Sequence, residues 1–470
     1  MAWGEEAEAQ ALIRSGAVTL ALLTDRSWVS RRVETVRFLS ATSLERNVSF
    51  DIDSARLGHL LATSGHPIDA PLLLPLLKLR KNLLLDLDLR VTDGSPAQVA
   101  RSDEDAVASQ GIMLQVLHAA GVVNSRISLG IGRTILAAAR GMPSAADVRT
   151  LLLGQPNEVE LWRLDRSAEN YDDESREWDS LIKTQPDFAR WLTTFTLDFL
   201  LMTPVHLRNI PTMFKFRYVE TQEPAAMTLG ERLNLVSYLN LLEAPGVGAA
   251  SREHLRIEGP SGMLIDDVDL YDMASDPNVP QNPVAARDHR SFERRVVLDR
   301  AVVYTSSPPT GSYYVAVSMR ANPAGFIRRS QYLVALTGVV LVLGGVAEIL
   351  WRVLSASSNA VEPTVALLLV VPTLLLAYVS REGDHEILGD LLRFPRLVIA
   401  FTGLVSLGAA TGFVFGLQCE PLAALWIASG AWCLVVFGWL RYVTWRGHQV
   451  MSSVTERQDT TYRTPVLDFS

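Results

Sequence analysis

Apolar positions along this chain follow two different rules. In the last third they are continuous: residues 331–351, 363–380, 397–417 and 421–440 form four runs nearly free of ionisable side chains. A helix rises about 1.5 Å per residue, so about 20 such residues cross a hydrocarbon core about 30 Å thick. Each run is close to that length, and together they predict a four-helix transmembrane bundle over residues 323–446. Ahead of them, apolar residues are mixed with charged ones at the periods of strands and amphipathic helices.

In the first hundred residues the strand period dominates. Residues 32–39, 47–52 and 82–91 read as strands, the last with Leu83, Leu85, Leu87 and Leu89 on one face before a turn at Thr92-Asp93-Gly94. A mainly helical stretch, 101–204, follows. Met113, Leu114 and Leu117, then Ile131, Ile135 and Leu136, are spaced as one helix face. Residues 149–164 and 178–199 are further helical candidates, broken at Pro156 and Pro186, because proline removes a donor and clashes with the preceding turn. The acidic stretch 169–177 between them reads as an exposed loop. Residues 205–322 return to strands, at 214–219, 254–257, 263–271, 295–304 and 312–319, with turn signals at Glu258-Gly259-Pro260 and Ser307-Pro308-Pro309. One stretch there, 228–243, has helical spacing at Leu229, Leu233, Val236 and Leu239. The expected architecture is therefore an α+β region, two β-sandwich-like modules (1–100 and 205–322) flanking a helical insert, followed by the bundle. One sandwich split by the insert fits the pattern almost as well.

Arginine placement orients the bundle. Arg328 and Arg329 precede the first run, Arg381, Arg393 and Arg396 lie between the second and third, and Arg441 and Arg446 follow the fourth, while the other two connections are poor in positive charge. The positive-inside rule then puts both ends of the chain in the cytoplasm of a multi-pass cell-membrane protein, with 447–470 as a flexible cytoplasmic tail. No secretion signal is recognisable, since the early apolar run 17–23 is short and follows acidic residues. The outward connections are a handful of residues each, too short for a ligand-binding module.

The bundle is expected to pack, not to transport. Glu348 sits in the last turns of the first run, within reach of the interface, and the spans carry no ionisable residue near their middles. Gly408, Gly412 and Gly416 recur at intervals of four and predict a close helix–helix seam, either within the bundle or between copies of the chain. Cys419 and Cys433 are too far apart on a continuous helix to pair or to share a metal, and read as packing residues.

Composition narrows the rest. A net charge of −8 without a basic, aromatic-interleaved patch argues against a nucleic-acid partner. Gly130-Ile131-Gly132 lacks the third glycine of a dinucleotide fingerprint, and no phosphate loop, nucleophile elbow or zinc-protease helix is present. Asp266, Asp267, Asp269, Asp272 and Asp276 form the densest carboxylate cluster. It reads first as a solvated strand face and only secondarily as a hard-cation site. His254 and His289 read as surface or satisfied residues. No catalytic, cofactor or metal residue is therefore assigned, and the chain leans away from enzymatic function. Arg287, Arg290, Arg294 and Arg295 form a basic cluster in the β region next to the bundle, a candidate contact with anionic lipid if not a charged loop balanced by Asp288 and Glu293.

The element Met213-Phe214-Lys215-Phe216-Arg217-Tyr218, the β region behind it and Ser380-Arg381-Glu382-Gly383-Asp384-His385 together resemble uncharacterised multi-pass membrane proteins of actinobacterial type with cytosolic β-rich domains. The resemblance implies an architecture and no activity. The functional expectation is a membrane-anchored, non-enzymatic protein whose cytosolic β region binds a protein partner or the lipid surface. The alternative is an oligomeric effector or channel regulated by that region.

Overall fold

The computed structural model describes residues 6–66, 71–81, 84–122, 129–152, 159–164, 171–206, 210–221, 227–244, 250–272, 292–305, 313–352, 370, 385–415, 417 and 419–461. The chain opens with α1 (Glu6–Thr24), β1 (Val29–Phe38), β2 (Ser43–Ile52), α2 (Ser54–Thr63), β3 (Leu72–Arg80) and β4 (Leu84–Val91). A helical stretch follows: α3 (Ser102–Ala119), α4 (Leu129–Arg140), α5 (Ala145–Leu152), α6 (Tyr171–Thr184) and α7 (Pro186–Leu197). Strands then return as β5 (Asp198–Val205), β6 (Met213–Thr221), a single turn of helix α8 (Leu229–Arg232), β7 (Tyr238–Ala244), β8 (Glu253–Glu258), β9 (Met263–Asp272), β10 (Phe292–Val297), β11 (Arg300–Thr305) and β12 (Tyr313–Ala321). Three long helices close the described chain, α9 (Phe326–Trp351), α10 (Glu386–Val414) and α11 (Cys419–Thr461).

Both β-rich regions feed one seven-stranded sheet, in the order β10-β11-β8-β1-β2-β6-β4. Its centre is a β1–β2 hairpin, with β8 added parallel to β1 so that Arg32 pairs with Glu253 and Arg37 with Glu258. All its other pairings are antiparallel. A three-stranded sheet, β7-β12-β9, leads directly into α9, and β3 pairs with β5 in a two-stranded sheet.

The buried apolar side chains fall into three clusters. One holds α2, β3 and the β2–β6 side of the large sheet, around Trp28, Phe50, Leu57, Leu74 and Phe214. A second fills the helical region, around Ile112, Ile135, Trp162, Phe188 and Phe195. The third begins at Val36, Phe38 and Leu44 in the large sheet and runs through Ile265, Val317 and Met319 of the small one. It continues without a break into the long helices at Val334, Leu391, Trp426 and Leu440.

Three helices are long and apolar enough to cross a membrane, Phe326–Trp351, Glu386–Gly412 and Glu420–Gly447. Large apolar side chains such as Leu336, Leu343, Phe401, Leu404 and Val435 stand exposed on them, as lipid-facing positions would. The expected run at 363–380 lies outside the described residues apart from Val370. The α9–α11 seam is made by glycines. A Cβ on Gly430 would lie 3.0 Å from the Gly338 carbonyl oxygen, and one on Gly345 would lie 3.1 Å from that of Ala423. Of the glycines singled out on α10, Gly412 approaches Leu425 and Leu417 of the following segment, Gly408 has nothing within 4 Å of its Cβ direction, and Gly416 lies outside the described residues. Cys433 is a free, buried thiol. Glu348 is 1 % exposed, so its carboxylate is enclosed by the packed helices.

Several local expectations are corrected. Residues 228–243 hold only one helical turn, ended by Asn234 at φ 53°, before strand β7 begins. Leu239 belongs to β7, whose outer and inner residues alternate, and its helical spacing with Leu233 and Val236 is coincidental. The acidic stretch 169–177 enters helix α6 from Tyr171, where Asp172, Asp173 and Glu174 occupy the first turn and suit the positive end of the helix dipole. The segment 447–470, expected as a loose tail, is helical as far as Thr461 because α11 does not stop at the apolar boundary. Pro186 does break its helical stretch as expected: α6 ends at Thr184 and α7 starts with Pro186 in its first turn.

Candidate functional site at the junction of sheets and apolar helices

The residues that join the sheets to the long helices come from turns, and each is held by an identifiable local device. The β1–β2 turn lies against the start of α10: the Ala41 backbone N–H donates to Glu386 Oε2 at 3.0 Å, and His385 Nε2 is 3.2 Å from the Phe38 carbonyl oxygen. A carboxylate in the first turn of a helix is favoured by the dipole, so Glu386 is stable there and still has an oxygen for the hairpin.

The second contact is the turn between α8 and β7. Thr228 caps α8 through a capping box with Glu231, whose carboxylate accepts from the Thr228 backbone N–H and hydroxyl. Its second oxygen accepts from the Leu239 N–H at 3.1 Å, which ties the helical turn to the next strand. So fixed, the turn presents Asn234 Nδ2 to the Leu391 carbonyl of α10 at 3.1 Å, and the Leu235 carbonyl to Arg446 Nη1 of α11 at 3.1 Å. One short turn thereby bridges two of the long helices.

The third contact is an ion pair beneath that turn. Arg320, at the end of β12, donates through Nε to Asp266 Oδ2 at 2.5 Å and through Nη2 to Ser237 Oγ at 2.8 Å. Ser237 Oγ in turn donates to the same carboxylate oxygen at 2.5 Å. The Arg396 guanidinium lies over the Phe326 ring, 5.5 Å from its centroid.

A belt of buried charge separates the junction from the rest of the large sheet. Glu34 accepts from Arg32 and from Arg46, Arg46 also reaches Glu220 Oε2 at 2.6 Å, and Arg32, Glu34 and Arg46 are all within 2 % of complete burial. On the same strands Val36, Phe38 and Leu44 belong to the cluster that continues into the helices, while Val48 and Phe50 belong to the one around α2 and β3. Burial pushes the Glu34 carboxyl up, but the two guanidiniums and their hydrogen bonds outweigh it and hold it below its ordinary value. Arg46 is driven the other way, burial being overcome by Tyr218, Glu220 and Glu34, so both groups are ionised.

A separate perturbed pair lies in the helical region. Lys81 Nζ donates to the carbonyls of Ala138, Ala139 and Gly141 at 3.0, 2.5 and 3.0 Å, closing the C-terminus of α4. Burial lowers its pKa to about 8. Asp105 accepts from the Leu200 N–H at 2.9 Å, and burial raises it to about 6 against the opposing pull of that bond and of Lys81. Shifts of this kind occur at reactive sites, but here each group is engaged with the backbone.

The residues singled out from sequence are mostly placed apart from the junction. Asp266 belongs to it through Arg320. Asp267 and Asp269 are half-buried on β9, the Asp272 side chain and all of Asp276 lie outside the described residues, and no group of three metal-ligating side chains exists among the described residues. His254 meets the Tyr304 ring edge-on at 4.6 Å, and burial followed by nearby Arg31 holds its imidazole below the ordinary value. His289, Arg287 and Arg290 lie outside the described residues. Arg294 and Arg295 sit on β10 opposite Val303 and Val302, with Arg295 exposed beside the Tyr304 ring. The junction residues Asn234, Leu235, His385 and Glu386 escaped sequence reasoning as a site. The one usable signal was Asn234 just after a short helical pattern, where a left-handed residue commonly ends a helix.

Searches against protein-family models, curated proteins and solved structures find no match to this chain.

Proposed function

We propose that this is a multi-pass cell-membrane protein, without catalytic activity of its own, that holds a cytosolic α/β docking region rigidly at the membrane surface for a protein partner or the lipid itself. The observation that carries this reading is the unbroken apolar cluster from Val36 and Val317 to Trp426 and Leu440, reinforced by the Ala41–Glu386, Asn234–Leu391 and Leu235–Arg446 hydrogen bonds. A region attached in this way cannot swing on a linker. It presents fixed surfaces at a fixed height.

Four spans and cytoplasmic ends belong to the same proposal. The chain leaves the sheets along α9, 26 residues or about 39 Å long, yet it is back beside the β1–β2 turn at His385. A fourth span at the apolar run 363–380 is proposed from its length and composition. Arg328, Arg329, Arg393, Arg396, Arg441 and Arg446 then all fall on the side of the sheets, which the positive-inside rule assigns to the cytoplasm. A sandwich of the large sheet on the small one is supported by their shared apolar cluster.

A second reading, an oligomeric effector or channel regulated by the α/β region, is favoured by the hairpin contact at His385 and Glu386, which would carry movement of the sheet to α10. Purification of the intact protein from detergent, with partner identification and native mass, separates the two. A stoichiometric heterologous partner released by competing soluble domain supports docking. A partner-free homo-oligomer that conducts ions in bilayers overturns it in favour of the second reading.

A further inference from the structure

We propose that the turn from Leu229 to Val236 is a lipid-contacting foot, seated in the headgroup layer of the leaflet next to the sheets. The proposal rests on the membrane reading above and names the surface that meets lipid.

The turn has the shape and chemistry for this role. Leu229 and Val236 are 71 % and 60 % exposed, unusually open for large aliphatic side chains. The turn folds back on the residue next to Leu229: the Leu235 and Val236 N–H groups both point to the Gly230 carbonyl, and a Cβ on Gly230 would meet Val236 Cγ2 at 2.8 Å. Between Leu229 and Val236 in sequence, Arg232 is exposed and supplies a nearby cation. Apolar tips with a neighbouring arginine suit phospholipid, whose glycerol and upper acyl region accept the aliphatic groups while its phosphate pairs with the guanidinium.

Height is what selects lipid over other occupants. Asn234 is bonded to the Leu391 carbonyl, two residues before Arg393 and five before Arg396 on α10, or about 3 and 7.5 Å along the axis. Arg396 in turn lies over Phe326, the first residue of α9, five residues before the apolar run that opens at Gln331. On α11, Leu235 is bonded to Arg446, whose neighbours Trp445 and Tyr442 are 52 % and 44 % exposed, as expected of an interfacial aromatic belt. A headgroup layer is about 5–7 Å deep on each side of the core. Leu391 lies six residues, about 9 Å, before the apolar run at 397, and Arg446 lies six residues after the run that ends at 440. The turn therefore stands at the outer edge of the headgroup layer, and Val236, one residue beyond Leu235, is within about 4 Å of that position.

The test places nitroxide labels on the full chain in lipid nanodiscs, at Val236→Cys and Leu229→Cys, with Cys419→Ser and Cys433→Ala in the background. Collision with oxygen and with a water-soluble nickel chelate is compared at these sites, at Asp93→Cys in an exposed turn, and at Val435→Cys on the outward face of α11. Labels at 236 and 229 are expected to be several-fold less accessible to the chelate than the label at 93, and to gain oxygen access. Chelate access equal to that at 93, with the label at 435 still oxygen-rich, overturns the foot while leaving the membrane reading intact. A water-accessible label at 435 overturns the membrane reading itself. Shielding from both reagents with dipolar broadening between labels assigns the surface to a second copy of the chain and also overturns the proposal.

Discussion

Arg46 Nη1 donates to Glu34 Oε1 at 2.7 Å, and both side chains are 1 % exposed. The pair links the second strand of the central hairpin to the first, and through Arg32 and Glu220 it extends across the sheet at the line where two apolar cores meet. Removing one member leaves the others charged and dry. Glu34→Gln is therefore expected to cost about 3–5 kcal/mol, seen as a lower melting temperature of the purified protein. An unchanged melting temperature would show that water reaches the belt. The acid limb follows from sign: the Glu34 carboxyl titrates below its ordinary 4.5 in the folded protein. Its contribution is present above the unfolded value and disappears as pH falls through the lower folded one. In Glu34→Gln that part of the acid limb should vanish.

Asp105 has the opposite sign. Its folded value, about 6, lies above the ordinary 3.8, so its contribution is complete below 3.8 and lost as pH rises through about 6. Asp105→Asn keeps an oxygen for the Leu200 N–H and removes the buried charge. The variant is expected to be more stable than the parent at pH 8, by about 1–3 kcal/mol from the size of the shift, and similar to it near pH 4. Denaturation curves at the two pH values decide this, and a variant weaker at pH 8 would mean that attraction to Lys81 outweighs burial.

At the helix seam, Gly430→Leu is expected to force α9 and α11 apart, since even a Cβ there would sit 2.6 Å from Val342 Cγ2 and 3.0 Å from a backbone oxygen. The cost should be about 1–3 kcal/mol, as for other overpacked positions. Gly408→Ala, with open space around it, should leave thermal stability in detergent unchanged. Equal losses for the two would place a further packing surface on α10.

Asn234→Ala and Arg446→Ala each remove one hydrogen bond between the α8–β7 turn and a long helix, worth about 1 kcal/mol. Hydrogen exchange in nanodiscs should quicken across residues 229–237 and leave β1 and β2 unchanged. Acceleration spreading into the central hairpin would instead make the turn a keystone of the whole sheet.

The long apolar helices were legible because nothing but a membrane or a large core tolerates such runs, and β1 and β2 because their faces alternate. In β4 a register shift around Asp86, at φ 55°, breaks the single leucine face expected there and leaves Leu87 exposed while Leu89 is buried. α3 was legible at Met113, Leu114 and Leu117, where one face is fully buried. β3 and β5 were not: Leu72–Arg80 and Asp198–Val205 are nearly continuous apolar runs without a period, and Pro75 in β3 sits where the register shifts. α1 was hidden by its acidic start. The parallel pairing of β1 with β8 joins positions more than two hundred residues apart, and nothing local in Arg32 or Glu253 announces it. The junction was illegible for a related reason: its hydrogen bonds go largely to backbone atoms, which every residue type supplies.

That parallel pairing also sets a timetable for biogenesis. The β1–β2 hairpin is complete by Ile52, but the strand that covers the open side of β1 ends at Glu258. At about 5–20 residues per second, translation leaves that edge bare for roughly ten to forty seconds. During this interval β1 is a template for any stray strand, so the newborn chain is open to mispairing before its long apolar helices have been synthesised.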